Sequence, residues 1–342
     1  MSQFLEKPVF HLVGEIARQR GVRAFVIGGY VRDCLLGREC TDIDIVVEGS
    51  GIDFARAVGE KCGRQVSYFP SFGTAMLKWH GDEIEFVGAR RESYRRESRK
   101  PIVENGTLED DQLRRDFTIN ALALSLMPDN YGELVDPFGG VRDLAAGIIR
   151  TPLDPETTYS DDPLRMLRAV RFAAKLSTPE LEFKIVPESM ESMRTLSGRL
   201  AILSVERIAE ELVKMLSTPH PSMAFRLLDE AGLLPHILPE LSALKGVETV
   251  DGRGHKDNFE HTLAVLDNLA SVSESLPLRW AALLHDIGKA ACKRYDPSIG
   301  WTFHGHDVVG SKMVPSIFAR LRLSQEEMKQ VRKLVWLHMR PI

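Results

Sequence analysis

Two hydrophobic patterns divide the chain. Up to about residue 150, short apolar runs of the kind that form β-strands alternate with helical stretches. From about residue 155 onward, apolar residues recur every three to four positions, which predicts helices. The sequence therefore predicts an α/β region with a small mixed sheet, followed by an all-α region.

Glycine and polar residues mark the ends of the predicted elements in the first region. The pattern predicts a helix over residues 1–20, a strand at AFVIGG that ends in a glycine turn, and a short helix at YVRDCLLG that Gly37 closes. A strand at DIDIVVEG and a helix at IDFARAVGEKCG follow, and then strands at QVSYF, TAMLKW and EIEFVGA. We divide the chain into parts at residues 1–150, 151–240 and 241–342.

Composition narrows the class of protein. The 342 residues are 44% hydrophobic and 27% charged, as in globular proteins, and no run reaches the ~18 apolar residues of a membrane helix. The four cysteines form no CxxC pair, so we expect reduced thiols, a cytoplasmic location and no membrane partner. A net charge of −4 does not by itself indicate a nucleic-acid-binding protein.

Two acids occupy one strand beside a glycine turn. Asp42 and Asp44 are two residues apart, so they point to the same face of the strand, with β-carbons about 7 Å apart. Two carboxylates at this short distance repel each other unless a cation lies between them. Mg²⁺ binds such carboxylates together with substrate phosphates. Gly28 and Gly29 allow the backbone to approach a triphosphate. The alternative is a solvated edge strand, but the GG before the acids favours a metal–triphosphate site.

Several long motifs in this order resemble one known family. GGYVRDCLLG with TDIDIVV, RRDFTINALALSL (114–126), DDPLRMLRAVRFAAKL (161–176) and SVERIAEELVKML (204–216) are similar to the class II tRNA nucleotidyltransferase and poly(A) polymerase family. The resemblance implies a nucleotidyltransferase head, then an all-α neck and body. It also implies Mg²⁺ on Asp42 and Asp44, and CTP, ATP and tRNA as partners.

The resemblance assigns roles to further head residues. Gly28, Gly29, Arg32 and Asp33 form the nucleotide site with Arg115, which binds phosphate, and with Asp116 and Asn120, which hold the sugar. A helix N-cap is the alternative role of Asp116. Glu85 is a candidate third catalytic carboxylate, unless it pairs with an arginine. Residues 90–100 hold six basic and two acidic side chains, either to grip RNA phosphate or as a solvated loop.

The segment 161–176 carries arginines at a spacing of three. Arg165, Arg168 and Arg171 form a stripe on a predicted helix whose apolar residues lie largely opposite. The resemblance implies that Asp161, Asp162 and Arg165 read the incoming C or A in place of a template. A solvated stripe on an amphipathic helix is the alternative.

Histidines in the last part form a second candidate site. ALLHDIGK resembles the HD superfamily of metal-dependent phosphohydrolases, which implies a transition metal on His261, His285, Asp286 and His306. WLHMRP adds His338 near the end of the sequence. A working HD site normally has a further Asp downstream, and none remains before Ile342. We therefore expect the HD domain to be incomplete and its phosphohydrolase activity to be secondary.

The motifs support one function over three others. We expect CMP and AMP transfer to the tRNA 3′ end by two-metal phosphoryl transfer. Poly(A) polymerase and partial enzymes that add only CC or only A share the same motifs. An HD phosphohydrolase with an idle head, or a non-catalytic RNA-binding module, would not require the intact acids Asp42 and Asp44. The oligomeric state and the terminal-addition specificity stay open.

Overall fold

The chain forms two compact units. The structure, a computed structural model, describes residues 1–95 and 98–340. Unit 1 spans Met1–Asp161 and unit 2 spans Asp162–Ile342. The three-part division at residues 150 and 240 stays a prediction. The basic stretch 90–100, for which the sequence left RNA contact and a solvated loop as alternatives, includes residues outside the described ones.

Unit 1 contains strands and helices in alternation. Its strands are β1 (Ala24–Ile27), β2 (Asp42–Val47), β3 (Val66–Phe69), β4 (Thr74–Trp79), β5 (Asp82–Gly88), β6 (Arg90–Arg95), β7 (Ser98–Asn105), β8 (Ala123–Ser125), β9 (Leu134–Val135) and β10 (Ile148–Ile149). Its helices are α1 (Pro8–Arg20), α2 (Gly29–Leu35), α3 (Gly51–Cys62), α4 (Leu108–Leu113), α5 (Gly140–Ala145) and α6 (Pro155–Asp161), with short 3-10 turns at Ser2–Phe4, Thr118–Asn120 and Pro128–Asn130.

A seven-stranded mixed sheet organises unit 1. Its strand order is β3-β4-β5-β2-β1-β8-β9, and β6 and β7 form a separate hairpin. β2 runs antiparallel to β1 and parallel to β5. The main hydrophobic core takes its residues from α1, α3 and one face of the sheet, which includes Ile43, Ile45 and Val47 of β2. The predicted α/β head is confirmed.

The first helix begins later than the pattern predicted. It starts at Pro8 rather than near residue 1, because proline fixes its own φ and is tolerated only in the first turn of a helix. Gly21, at φ 66°, ends the helix in the left-handed conformation.

Unit 2 is mainly helical. Its helices are α7 (Leu164–Leu176), α8 (Pro187–Leu196), α9 (Val205–Leu216), α10 (Pro221–Glu230), α11 (Leu234–Ile237), α12 (Pro239–Ser242), α13 (Asn258–Ala270), α14 (Leu276–Leu284), α15 (Lys289–Cys292), α16 (His306–Arg320) and α17 (Gln325–Leu337), with a 3-10 helix at Ser197–Ile202. Short strands lie at β11 (Lys184–Ile185), β12 (Thr249–Val250), β13 (Arg253–Gly254), β14 (Arg294–Asp296) and β15 (Gly300–Thr302). α14 packs against α13 and α17, and α16 packs against α17.

Two β-hairpins were missed by the all-helical prediction for this part of the chain. β12 pairs with β13 around Asp251 and Gly252, and β14 pairs with β15. The strands are only two or three residues long, so helical periodicity in the neighbouring segments hid them. The Asp-Gly dipeptide was the available signal for the first hairpin. Among the described residues, no helix combines the length and the apolar character required to cross a bilayer.

A buried ion pair joins α7 to α9. Arg171 is 8% exposed, and its Nε donates a hydrogen bond of 2.5 Å to Oε2 of Glu211, which is 3% exposed. The Arg171 guanidinium also lies 4.4 Å from the centroid of the Phe172 ring. Lys214 is a more distant partner of Glu211, at 3.8 Å. Removal of either Arg171 or Glu211 would leave the other charge buried and poorly compensated. The pair therefore holds α7 and α9 together.

We expect Arg171→Met to lower the free energy of unfolding by about 3 kcal/mol, because Glu211 then stays buried with only Lys214 near it. The double variant Arg171→Met/Glu211→Leu should recover most of that loss. Urea unfolding followed by circular dichroism measures both. Lys184→Met, at an exposed side chain of unit 2, is the control. Equal destabilisation in the single and double variants would assign the effect to lost packing instead.

Candidate functional site

Acidic residues share the open face of β2 and β5. Asp42 and Asp44 point away from the main core, while Ile43 between them is 1% exposed within it. In the parallel register Asp44 lies opposite Glu85, and Asp42 lies opposite Glu83. Residues opposite each other in paired strands project to the same face, so four carboxylates lie side by side. The predicted acids Asp42, Asp44 and Glu85 are brought together.

The environment of Asp44 opposes its ionisation. Burial raises the pKa of the Asp44 carboxyl, and the nearby charges of Glu85 and Asp42 raise it further, against the opposing effect of Arg115. Carboxylate oxygens that converge in this way are the ligands that Mg²⁺ prefers. The donor set therefore fits a divalent cation, held by Asp42, Asp44 and Glu85.

The glycine turn brings the backbone against this cluster. Gly28 has φ 81°, and a β-carbon there would lie 2.7 Å from Nη1 of Arg115 and 3.6 Å from Oδ2 of Asp44. No other residue type combines that φ with so little space. Gly29, the next residue, begins α2.

A buried carboxylate that the sequence did not single out orients two arginines. Asp111 of α4 is 0% exposed and accepts hydrogen bonds from Arg114, at 2.5 and 3.0 Å, and from Nε of Arg115, at 3.3 Å. Nη1 of Arg115 also donates to the backbone carbonyl of Asn120. The two guanidinium groups are thereby presented to the acidic cluster as fixed cations for an anionic ligand.

A hydrogen-bond network connects the two head motifs. Arg32, 4% exposed, makes a two-point contact with Asp33, at 2.8 Å for each bond, and donates from Nη1 to Asn120 at 2.6 Å. The amide of Asn120 in turn donates to Asp116 at 3.0 Å. The predicted residues Arg32, Asp33, Asp116 and Asn120 therefore form one unit. Asp116 also accepts from the N–H of Phe117, but it is not a helix N-cap, because the 3-10 helix at Thr118–Asn120 has Phe117 as its N-cap and no side-chain cap bond.

An open cavity of about 490 Å³ lies over the acids. Asp44, Glu85, Arg114 and Arg115 contribute to its lining. At its rim stand Phe69, 41% exposed, and Phe72, 71% exposed. Exposed aromatic rings beside a charged cleft suit the stacking of nucleobases. Neither phenylalanine was predicted, since a strand end and a turn give no sequence signal for stacking.

Helix α7 of unit 2 carries the remaining predicted nucleotide ligands. Arg165 and Arg168 lie on its half-exposed side, and Asp162 accepts the backbone N–H of Leu164. Asp161 belongs to unit 1, at the end of α6. Arg171 differs from the expectation, since its guanidinium is buried against Glu211. We therefore assign Arg171 a structural role, and the roles of Asp161, Asp162, Arg165 and Arg168 stay predictions.

Four histidines of unit 2 surround Asp286. This carboxylate is 2% exposed, with His285 at 3.2 Å and His261 at 3.8 Å from Oδ2, and His306 at 3.3 Å and His338 at 3.8 Å from Oδ1. Two groups of three potential metal ligands result, His261–His285–Asp286 and Asp286–His306–His338. His338, which the sequence added to the other histidines without assigning it to the metal, completes the second group.

The imidazoles are oriented for metal binding. Nδ1 of His285, His306 and His338 each lies 2.6–2.8 Å from a backbone carbonyl three residues earlier, so these nitrogens carry the protons and the Nε2 lone pairs point inward. Nε2 of His306 and Nε2 of His338 are 3.1 Å apart. Two lone pairs at that distance repel each other unless a cation lies between them. The arrangement therefore fits a bound metal ion.

The electrostatics of the cluster favour neutral side chains at His261 and His338 and an ionised Asp286. Burial lowers the pKa values of His261 and His338. Burial would raise the pKa of Asp286, but the hydrogen bonds and charges of His285 and Lys289 outweigh it and hold that pKa well below its usual range. Lys289 contacts Asp286 at 2.6 Å and occupies the position next to the HDIG sequence. These protonation states are those of metal ligands.

Three family models match parts of the chain. Residues 24–150 match the family described as the poly A polymerase head domain. Residues 182–245 match a probable RNA- and SrmB-binding site of polymerase A, and residues 258–342 match the HD domain.

Curated relatives cover most of the chain. The multifunctional CCA protein of Neisseria gonorrhoeae is 38% identical over 316 residues, which cover 89% of this chain and 71% of that protein. The multifunctional CCA protein of Pseudomonas fluorescens is 36% identical over 315 residues, with 89% and 72% covered.

Solved structures have the same architecture. A tRNA nucleotidyltransferase complexed with a primer tRNA and an incoming ATP analog superposes with a TM-score of 0.68 at 27% identity, covering 96% of this chain and 84% of that one. A CCA-adding enzyme in complex with CTP gives a TM-score of 0.67 at 26% identity, covering 98% and 73%.

We expect Asp44→Asn to stabilise the metal-free protein while it abolishes nucleotide addition. A carboxyl whose pKa is raised by folding destabilises the native state above that pKa, and the penalty disappears as the pH falls toward the ordinary value of ~3.9. The variant should therefore melt a few degrees higher than wild type at pH 8 in EDTA, by about 2–4 °C per kcal/mol.

That difference in melting temperature should shrink as the pH falls from 8 through the raised pKa of Asp44 toward its ordinary value of ~3.9. Glu83→Gln, on the same face but paired with Lys78 near solvent, should leave the melting temperature within about 1 °C. A lower melting temperature for Asp44→Asn at pH 8 would contradict the destabilising role of this carboxylate.

Proposed function

Because the chain belongs to the family of the multifunctional CCA proteins, we propose that it adds CMP and AMP, from CTP and ATP, to the 3′ end of tRNA without a template. The observation that carries this function is the cavity over Asp44 and Glu85, flanked by Arg114 and Arg115. It combines carboxylates for a divalent cation with cations for phosphate in one place.

The reaction is an in-line phosphoryl transfer. The 3′-hydroxyl of the RNA attacks the α-phosphorus of the nucleoside triphosphate, an O–P bond forms, and the bond to the β-phosphate oxygen breaks to release pyrophosphate. Enzymes of this class use divalent metal ions, and we propose Mg²⁺ for this site. Bound there, the metal would lower the pKa of the attacking hydroxyl and neutralise charge on the leaving oxygens.

The residues of the head have separate tasks in this proposal. Asp42, Asp44 and Glu85 hold the cation, and the turn at Gly28 and Gly29 lets the triphosphate lie against the backbone. Asp111 fixes Arg114 and Arg115 so that their N–H groups meet phosphate oxygens without reorganisation.

The network beside the glycine turn serves the nucleotide. We assign Arg32 to phosphate binding and Asp116 with Asn120 to the ribose, since all three are held by the same hydrogen bonds. Asp33 keeps the Arg32 guanidinium oriented.

Base selection is assigned to the start of α7. The Asp162 carboxylate can accept a hydrogen bond from a base amino group, and Arg165 can donate one to a ring nitrogen or carbonyl. Asp161 and Arg168 complete this proposed set.

A cytoplasmic location is supported by the partners tRNA, CTP and ATP and by the four free cysteines.

We expect sequential addition of C, C and A, and then a stop. Purified protein with Mg²⁺ would receive tRNAs ending before CCA, at C and at CC, with labelled CTP or ATP, and the products would be sized on a gel. Long A tails would favour the alternative, a poly(A) polymerase. Addition of C alone or A alone would mark a partial enzyme.

Asp42→Ala should reduce that addition at least 10³-fold, because it removes a cation ligand from the reacting centre. Glu83→Gln is the matched control, on the neighbouring strand at the same register, and should retain activity within about twofold. Equal loss in both variants would contradict the assignment of Asp42 as a specific ligand.

A second function is supported by the Asp286 cluster. Its two groups of ligands fit metal-dependent phosphohydrolysis, in which a metal-bound water attacks a phosphate ester. Lys289, held at 2.6 Å from Asp286, would supply positive charge beside the phosphate. We propose this as the secondary activity of the chain, independent of nucleotide addition.

We expect the metal-stripped protein to bind up to two equivalents of Ni²⁺ or Mn²⁺ in unit 2. His338→Ala should retain one, since His261, His285 and Asp286 remain, and Asp286→Asn should lose both. Isothermal titration and metal analysis after gel filtration measure the stoichiometry. Nucleotide addition should be unchanged in both variants. Wild-type stoichiometry in Asp286→Asn would rule the site out.

A further inference from the structure

A basic groove lies between α16 and α17 of unit 2. Its volume is about 440 Å³, and its charged lining consists of Lys312, Lys329, Arg332 and Lys333, with Trp336 at one side. No acidic residue contributes to the lining. The net charge of the whole chain is −4, so this concentration of cations runs against the bulk composition.

Among the described side chains, the four cations have no ion-pair or hydrogen-bond partner. All four side chains are exposed, and none of them makes an ion pair or side-chain hydrogen bond with the residues of 1–95 and 98–340. By contrast, Arg320 and Arg322, on and directly after α16, are paired with Glu240 and Glu206. The groove cations are therefore available to an external anion.

The basic side chains of the groove do not stabilise α17, the helix that carries three of them. Lys329 is three residues from Arg332 and four from Lys333, and like charges at these spacings repel each other on a helix surface. Lys329 also lies in the first half of α17, nearer the positive end of the helix dipole, where a cation is unfavourable. Buried Val331 and Val335 on the opposite side already fix the helix in place. A bound polyanion would relieve the repulsion.

An aromatic platform accompanies the cations. Trp336 is 40% exposed, and the guanidinium of Arg340 lies 3.9 Å from the centroid of its ring. Stacked indole and guanidinium planes beside lysines suit a nucleic-acid strand, because bases or riboses stack on the ring while phosphates meet the cations. An acidic peptide would use the lysines but not the platform.

We propose that this groove binds the ribose–phosphate backbone of tRNA, as an RNA contact of unit 2 additional to those of the head. The proposal rests on the proposed function only in the identity of the RNA. The contact is electrostatic, so each lysine or arginine adds affinity that salt weakens.

The test measures binding of the full chain to tRNA lacking CCA, by fluorescence anisotropy across a series of KCl concentrations. Lys329→Gln/Arg332→Gln/Lys333→Gln should raise the Kd about tenfold at low salt and reduce the slope of log K against log salt by about two to three. The control variant, Lys61→Gln/Lys78→Gln/Lys184→Gln, removes the same charge from exposed sites elsewhere and should change the Kd less than twofold.

Trp336 tests the stacking component. Trp336→Ala should weaken tRNA binding several-fold with an unchanged salt slope, and Trp336→Phe should restore most of the affinity. Equal affinities of Trp336→Ala and wild type would remove the platform from the proposal. Thermal melting of each variant reports whether it is folded.

Further outcomes separate this proposal from the function of the head. Equal Kd values for the groove and control variants would overturn the proposal. Loss of binding to phosphatidylserine vesicles with unchanged tRNA affinity would also overturn it and assign the groove to a lipid surface. A wild-type protein that binds tRNA through the groove but adds no nucleotide would contradict the proposed function alone. The groove variant should retain wild-type kcat at saturating tRNA and show a raised KM for tRNA.

Discussion

Repulsion among the carboxylates on β2 and β5 is the constraint that shapes the head. Strand geometry forces Asp42 and Asp44 onto one face, and parallel pairing places Glu85 beside Asp44. The cluster is tolerated because the opposite face of β2 is fully apolar and packs in the main core. Arg115 provides the compensating charge, and it can do so only because buried Asp111 holds it. The fold therefore stores an electrostatic cost at the point where a cation and a triphosphate would remove it.

The Asp286 cluster follows the same principle with different donors. The backbone carbonyls of Ala282, Phe303 and Val335 fix the tautomers of His285, His306 and His338, so their lone pairs converge. Lys289 supplies the only cation that the described structure places in direct contact with Asp286. In the head, the positive charge of Arg115 lies near the acidic cluster. In unit 2, the positive charge of Lys289 contacts Asp286, the carboxylate that both groups of ligands share. The two sites thus differ in donor chemistry, oxygen against nitrogen, which separates the metals that each would select.

The sequence predicted the parts of both sites that depend on local spacing. The Asp-x-Asp alternation, the glycine turn and the His-Asp pair each bring their side chains together through one element, and the structure brings them together. Asp111 was missed although its pairs with Arg114 and Arg115 are local, three and four residues along the chain; its complete burial depends on tertiary packing, which no local pattern encodes. For Arg171, by contrast, the local spacing predicted a role in nucleotide binding that the structure does not support. Its spacing matched the arginine stripe, but a position three residues further along a helix lies about 60° away around the axis, enough to turn it from the half-exposed side to the core.

The basic side chains of the two proposed anion sites differ in how firmly the protein holds them. Arg114 and Arg115 are clamped by a buried acid, which suits a compact triphosphate that must be bound in one geometry. Lys312, Lys329, Arg332 and Lys333 are unclamped and solvated, which suits a long backbone that needs charge but little orientation. A chain of net charge −4 repels RNA at long range, so its attraction to tRNA must come from such local patches. Such local patches are screened beyond about 10 Å at 0.1 M salt, so they attract RNA only at close range and bind it less tightly as the salt concentration rises.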